Sequence, residues 1–472
     1  MKKSLLYLFF ALFITSVTFA QPSTIRCWKM VSAGKNFTLA VKTDGTLWGW
    51  GLNVNQLGLG FAGNQNFPKQ VGTANDWMTV SAGDDHALAI KTTGTLWSWG
   101  DGTFGQLGNG VFASAAVTPT QVGTATSWTD VSAGTGFSLA MQGISIFSWG
   151  RNNLRQLGNN TIIDTNVPGQ IAGTIAWLKI DAGHQHSLAL STGGVVFAWG
   201  DNTMGQFGNG TNIGSIAPIA VQQTFGNIEI SAGFDHSMFL NTNNFLYTAG
   251  GNANGQLCNG NNTASNVFGL VTLTSGVATP FVKISAGYEH SMVIDTNFQL
   301  YTSGENASGE LGLANFSNTN LLTQVGTNAN WFQISAGSDH SEAIDINGEL
   351  WSAGFGLQGQ LGVGSNSNSN VVVQVNCPIS LANSNFSSAD LQLVTSPNPT
   401  SGIVKIDFNL QNNSNINFKI VNIQGQLIFE KNIDNAIGLQ SQSIDLSSQN
   451  SGLYFVTIAS DKGSITTKII KN

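Results

Sequence analysis

SAGDDHALAI, residues 81–90, sets two carboxylates beside a histidine, so it can be a metal clamp, an acid/base pair, or neither. The rest of the chain decides. The stretch recurs as VSAGKNFTLAV, VSAGDDHALAI, VSAGTGFSLAM, IDAGHQHSLAL, ISAGFDHSMFL, ISAGYEHSMVI and ISAGSDHSEAI, centred on Ala33, Ala82, Ala133, Ala182, Ala232, Ala286 and Ala336. A repeat near 50 residues marks a solenoid or a propeller. A site for chemistry is built once, from residues converging out of different elements, whereas a position repeated round a ring serves packing.

Each copy runs on through a turn into a second strand, most often ending in Trp-Gly: TDGTLWGWG (43–51), TTGTLWSWG (92–100), STGGVVFAWG (191–200), with INGELWSAG (346–354) a variant. Asp44-Gly45, Gly193-Gly194 and Asn347-Gly348 supply the positive φ that tight hairpins need. NQLG, GQLG, RQLG, GQFG, GQLC, GELG and GQLG follow, then a polar loop and often a β-rich piece such as PKQV or PTQV. Short antiparallel strands without helical periodicity, in seven similar units, predict an all-β chain whose residues 21–376 close into a seven-bladed β-propeller. The run SAGxxHSLAL through WG.N..GQLG resembles the regulator of chromosome condensation repeat family over residues 25 to 376. Kelch and WD-type propellers share the period but not that run.

Copy one has no strand like PKQV before it, and VVVQV at 371–375 follows copy seven. The expectation is that this segment completes the first blade. Cys27 and Cys377 then fall about three positions apart in one blade, which predicts a disulfide locking the ring; the alternative is two thiols. An exported protein meets oxidising conditions, and so long a loop gains roughly 4 kcal/mol or more in the entropic account. Cys258, at a glycine position of GQLG, receives no role.

Composition bounds the partners. Charged residues make up 9% of the chain and its net charge is −7. With no cluster of Lys or Arg, counterion release has little to act on, and no nucleic acid is expected. MKKSLLYLFFALFITSVTFA (1–20) reads as a signal peptide cleaved after Ala20, and no later stretch suits a membrane span.

Two aromatic rows, Trp48, Trp97, Phe147, Phe197, Tyr247, Tyr301, Trp351 and Trp28, Trp77, Trp128, Trp177, Phe281, Trp331, predict inter-blade core. If Trp351 is buried, truncating it to Ala costs about 3–5 kcal/mol. His86, His186, His236, His290 and His340 share one position with Phe37 and Phe137, which predicts structural histidines bonded to nearby backbone. His184 stands out of register and reads as a surface-loop residue. No catalytic residue, cofactor or metal is expected, since no phosphate loop, nucleophile elbow, HExxH or paired zinc-cysteine motif occurs. Asp85, Asp235, Glu289 and Asp339 occupy one position. They form a partial acidic ring at the channel if their loop faces one end of the propeller, and local turn residues otherwise.

Beyond a Ser/Asn-rich linker, 377–392, short alternating strands predict a small β-sandwich over 393–472. Pro397-Asn398-Pro399, the turn at Gly425, Gly452 with Tyr454, and a final run from Lys468 resemble the type A C-terminal sorting domain of type IX secretion. That resemblance implies handling by the type IX machinery, a Bacteroidota-type source, tail removal, and an extracellular or outer-surface product. The expected function is a secreted binding protein whose propeller-face loops recognise an unknown protein or glycan. The alternatives are a polysaccharide-active enzyme using carboxylates such as Asp85 or Glu289, and a structural adhesin. The nucleotide-exchange activity of the eukaryotic family founder is not expected in an exported acidic chain.

Overall fold

The computed structural model describes residues 27–221, 226–273, 279–378, 391, 393–422, 426–460 and 463–472. The predicted signal peptide, nearly all of the predicted linker, and Gly425 lie outside them. Two compact units divide between Pro378 and Ile379. None of the described helices is long and apolar enough to cross a membrane.

In the first unit the described strands form seven four-stranded antiparallel sheets, the blades of a propeller. Blade one shows the plan: β1 (Trp28–Ala33), β2 (Phe37–Lys42), β3 (Leu47–Gly51) and β4 (Gln65–Gln70) pair in chain order. All six residues of β2 are buried, because a neighbouring blade covers each of its faces. That is why the second strand of every unit is a near-continuous apolar run and does not alternate. Fourth strands are the most exposed, as in Ser114–Gln121 of blade two. The β2–β3 hairpin turns at Gly45 with φ +80°, where an added Cβ would stand 2.0 Å from the Asn75 carbonyl. Asn244 and Phe298 carry the same positive φ in blades five and six.

The structure corrects the expected closure. PKQV is the fourth strand of its own blade, since Gln70 pairs with Trp48, and VVVQV likewise belongs to blade seven, where Gln374 pairs with Trp351. No strand is exchanged, and every blade is contiguous in sequence. Blades seven and one meet instead through a seam of side chains, with Trp28 and Trp50 packed against Ile344, Leu350 and Val375. Cys27 and Cys377 are bonded across this seam, their Cα atoms 6.0 Å apart. They bridge neighbouring blades, so the pairing does not depend on the shared blade from which it was reasoned.

The aromatic rows divide. Trp128 packs with Leu88, Ile90 and Leu96 of the preceding blade, as inter-blade core requires. In blades one to four and seven the second row lies edge-on to the first, as in Trp77–Trp97 (5.8 Å) and Trp331–Trp351 (6.3 Å). Trp351 keeps partial exposure, so truncating it should cost less than full burial implies. The largest fully buried side chains include Trp50, Trp99, Trp149 and Trp199, the tryptophans of Trp-Gly.

The second unit holds five strands round one core, containing Val404, Phe408, Phe418, Tyr454, Val456 and Ile469 among others. The long strand Ile403–Asn422 pairs with Leu427–Asp445 along both halves, but with Gly452–Ser460 only from Ile416 onward. A register shift between Leu410 and Ser414 separates the halves, folding one strand into both layers of a sandwich. Asn398, between the two prolines, accepts from the Ile470 amide (2.9 Å) and donates to the Lys468 carbonyl (2.9 Å). The opening motif thus grips the last strand. Tyr454 donates to the Asn450 carbonyl at 2.7 Å, and Gly452 pairs with Lys471.

Candidate functional site

Three contacts explain the repeated stretch. First, a Cβ on the glycine of SAG would stand 2.5–2.7 Å from the next blade's equivalent carbonyl in all seven units, so only glycine lets the inner strands converge. Second, the serine before it accepts from the next blade's alanine amide. Ala82 N to Ser32 (3.0 Å) and Ala133 N to Ser81 (2.9 Å) start a series that Ala33 N to Ser335 (2.9 Å) closes. In blade four Asp181 takes the serine's place and accepts from Ala232 N at 2.8 Å, and burial pushes its carboxyl up to about 6.

Third, each histidine reaches the next blade's hydroxyl: His86 to Ser138 (2.9 Å), His186 to Ser237 (2.8 Å), His236 to Ser291 (2.9 Å), His290 to Ser341 (3.0 Å) and His340 to Thr38 (3.0 Å). Ser138, Ser291 and Ser341 give their single proton to the carbonyls of Gln106, Gln256 and Glu310. For His86, His236 and His290 the imidazole Nε2–H is therefore the donor. The partner is a neighbouring hydroxyl, not the backbone expected from sequence. Burial lowers these histidines to about 4, and His236 and His340 to about 3, so they are neutral at pH 7.

The residue after SAG points at the axis. Lys35, Asp84, Thr135, His184, Phe234, Tyr288 and Ser338, one per blade, rim a cavity of about 80 Å³. Sequence reading passed over this row because its members share no chemistry. The ring divides in two: His184 stacks on Phe234 at 4.0 Å and Phe234 tilts against Tyr288 at 4.5 Å, while Asp84 faces them. Tyr288 donates to Asp84 across the axis at 3.0 Å, and Lys35 Nζ stands 3.9 Å from the same oxygen. His184 is thus a rim residue packed between rings. Burial, with Lys35 and Arg151 nearby, lowers it to about 4.

The four carboxylates read from sequence sit one residue beyond this rim, not on it. Asp85 lies at the exposed surface of blade two, where partial desolvation and the charges of Asp84 and Asp101 raise its pKa against the opposing charge of Lys35. Asp235, Glu289 and Asp339 group in blades five to seven. Burial and then Glu289 push Asp235 up to about 6; burial, Glu289 and Asp339 raise Glu305. In blades two and four a glutamine amide quiets the corresponding carboxylate: Gln106 donates to Asp101 at 2.8 Å and Gln206 to Asp201 at 3.1 Å. Blade six has Glu310 there instead. Its carboxyl, chiefly through burial, goes up to about 7, and it lies with Glu305 and Asp339 so that one oxygen of each falls within 4.8 Å of the others. The signal was visible as GELG among copies of GQLG.

Residues 15–275 match the family described as the RCC1-like domain, more than half of the chain. The chain belongs to the RCC1-like propeller family. Residues 396–472 match the secretion system C-terminal sorting domain, which marks this RCC1-like protein for export to the cell surface or beyond it. Among solved structures, human WBSCR16 is 19% identical with TM-score 0.63, covering 71% of this chain and 94% of its own. Yeast RCC1 (Prp20) bound to Kap60 is 19% identical with TM-score 0.64 (84% and 93% covered), and Prp20p from Saccharomyces cerevisiae 20% identical with 0.63 (78% and 90%). At these identities the likeness is one of fold. No curated protein matches the sequence closely enough to count as a relative.

Proposed function

We propose that this exported propeller is a binding protein whose acidic arc over blades five to seven docks a basic surface of an extracellular protein. The observation that supports it is the crowding of Asp235, Glu305 and Glu310, raised first by burial and then by the charges of Glu289, Glu305 and Asp339. Among the described residues, the charges that act on these three groups are all carboxylates. Such a patch is relieved by an approaching cationic surface, which gives it both steering and preference. The sorting domain fits delivery by the type IX machinery, with loss of the tail and release or surface attachment.

Polysaccharide lysis is supported less well. Asp85 and Glu289 sit in different groups of carboxylates, and the axial cavity is small for a sugar chain. A labelled decalysine peptide read by anisotropy tests the binding reading. Asp235→Asn, Glu289→Gln, Glu305→Gln and Asp339→Asn together should weaken binding at least about tenfold, and salt should weaken it further. Asp345→Asn with Glu349→Gln, at the hairpin end, should leave it unchanged. Equal loss in both variants, or turnover on a polysaccharide panel, overturns the reading.

A further inference from the structure

The axial rim carries chemistry separate from the acidic arc. Blades four, five and six contribute the rings of His184, Phe234 and Tyr288, and blades seven, one, two and three contribute Ser338, Lys35, Asp84 and Thr135. One wall is therefore apolar and π-rich, and the other is polar and carries one carboxylate and one ammonium. Asp84 is 9% exposed and reached by Tyr288 at 3.0 Å, and among the described residues the cation pairing with it is Lys35 at 3.9 Å, itself 42% exposed. That distance is at the loose end of an ion pair, and the exposed lysine gives up side-chain entropy to hold it, so the pair is weak. The cavity of about 80 Å³ holds roughly six water-sized positions. That suits the few heavy atoms of a slender amine.

We propose that the axial mouth is a binding site for one primary alkylammonium group, its stem lying against Phe234 and Tyr288 and its charge on Asp84, with Lys35 as the built-in competitor. Aromatic faces attract such a cation through their quadrupole, and a buried carboxylate beside them supplies the charge. His184 strengthens the apolar wall because it is neutral at pH 7, its pKa held near 4. The amine can come from a small molecule or from a lysine side chain of a protein.

The test uses the full chain and n-butylammonium, followed by ligand-observed NMR. Saturable binding with Kd about 1 mM is expected. Lys35→Ala should tighten it several-fold, Asp84→Asn should weaken it at least tenfold, and Phe234→Leu should weaken n-butylammonium more than methylammonium. A structural role for Lys35 would not yield that gain, which keeps the proposal testable even if Asp84→Asn folds poorly. Absence of saturation with Lys35→Ala, or equal affinity across Lys35→Ala and Phe234→Leu, overturns it. Displacement by decalysine assigns the amine to a protein lysine, and persistence of binding assigns it to a free amine; both leave the site standing. The site survives loss of the arc if the blade five to seven variant still binds n-butylammonium.

Discussion

Each buried histidine is held by one bond to the next blade and by the cost of charging it there. Nδ1 of all five is buried without a partner, so the ring's hydrogen bonding rests on Nε2 alone. The sequence showed that phenylalanine substitutes for it, hence that its role is packing. It could not show the hydroxyl, which lies in the next repeat, one blade away. Because folding lowers His236 from about 6.5 to about 3, the unfolded chain takes up the proton first as pH falls. Its contribution is complete above about pH 6.5 and is lost on the way down, amounting to roughly 3 kcal/mol by pH 4. The raised carboxyls of Asp181, Asp235 and Glu310 act in the opposite sense, regaining stability as they protonate. The measurement is therefore a difference: urea unfolding of His236→Phe against the parent, from pH 7 to pH 4. The variant should gain relative stability steadily as pH falls. A flat difference would show that the histidine stays neutral without cost, and would sink this account.

At the scale of the element, what the sequence left open was phase. A repeat of about 50 residues looks the same wherever the unit is cut, and a β-rich segment such as PKQV can end one blade or begin the next. Only the pairing of Gln70 with Trp48 settles it. The hairpins and the GQLG loop were legible because local turn chemistry dictates them. The close approach of SAG glycines was not, since it is a contact between units. That approach predicts a sharp contrast between two glycines. Gly134→Ala would drive a methyl to 2.3 Å from the Phe137 ring and 2.7 Å from the Gly183 carbonyl, while nothing stands within 4 Å of a Cβ at Gly269. Thermal unfolding should show Gly134→Ala losing at least about 3 kcal/mol and Gly269→Ala shifting by no more than about 0.5 kcal/mol. Comparable losses at both positions would mean that backbone freedom, not contact between blades, explains the motif.

The whole ring is not equally fastened. Trp99, Trp149 and Trp199 each donate to the glutamine carbonyl of the preceding blade, at 2.9, 2.8 and 2.8 Å. Ala249, Ser303 and Ala353 stand in their place in blades five to seven, the same half that carries the acidic arc, and of the three only the Ser303 hydroxyl reaches back, to the Gly255 carbonyl at 2.9 Å. At the seam Trp50 Nε1 is buried without a partner, as is Glu342 Oε2, at a position filled by Leu or Met in the other blades. Burial holds the Glu342 carboxyl well above the usual carboxylate range. The seam thus buries two polar atoms without partners, and Cys27–Cys377 spans it. With the two cysteines 350 positions apart in sequence, the entropic account assigns the cross-link roughly 5–6 kcal/mol. Intact mass should rise by two hydrogens on reduction, and Cys27→Ser should lower the thermal midpoint by about as much as reduction does. Hydrogen exchange should then open Trp28–Ala33 and Trp331–Ala336, the inner strands flanking the seam, before the inner strand Trp128–Ala133 on the far side of blade two. A reduced protein as stable as the oxidised one, with exchange spread evenly over the blades, would show that the inner ring of serine–amide bonds holds the propeller shut by itself.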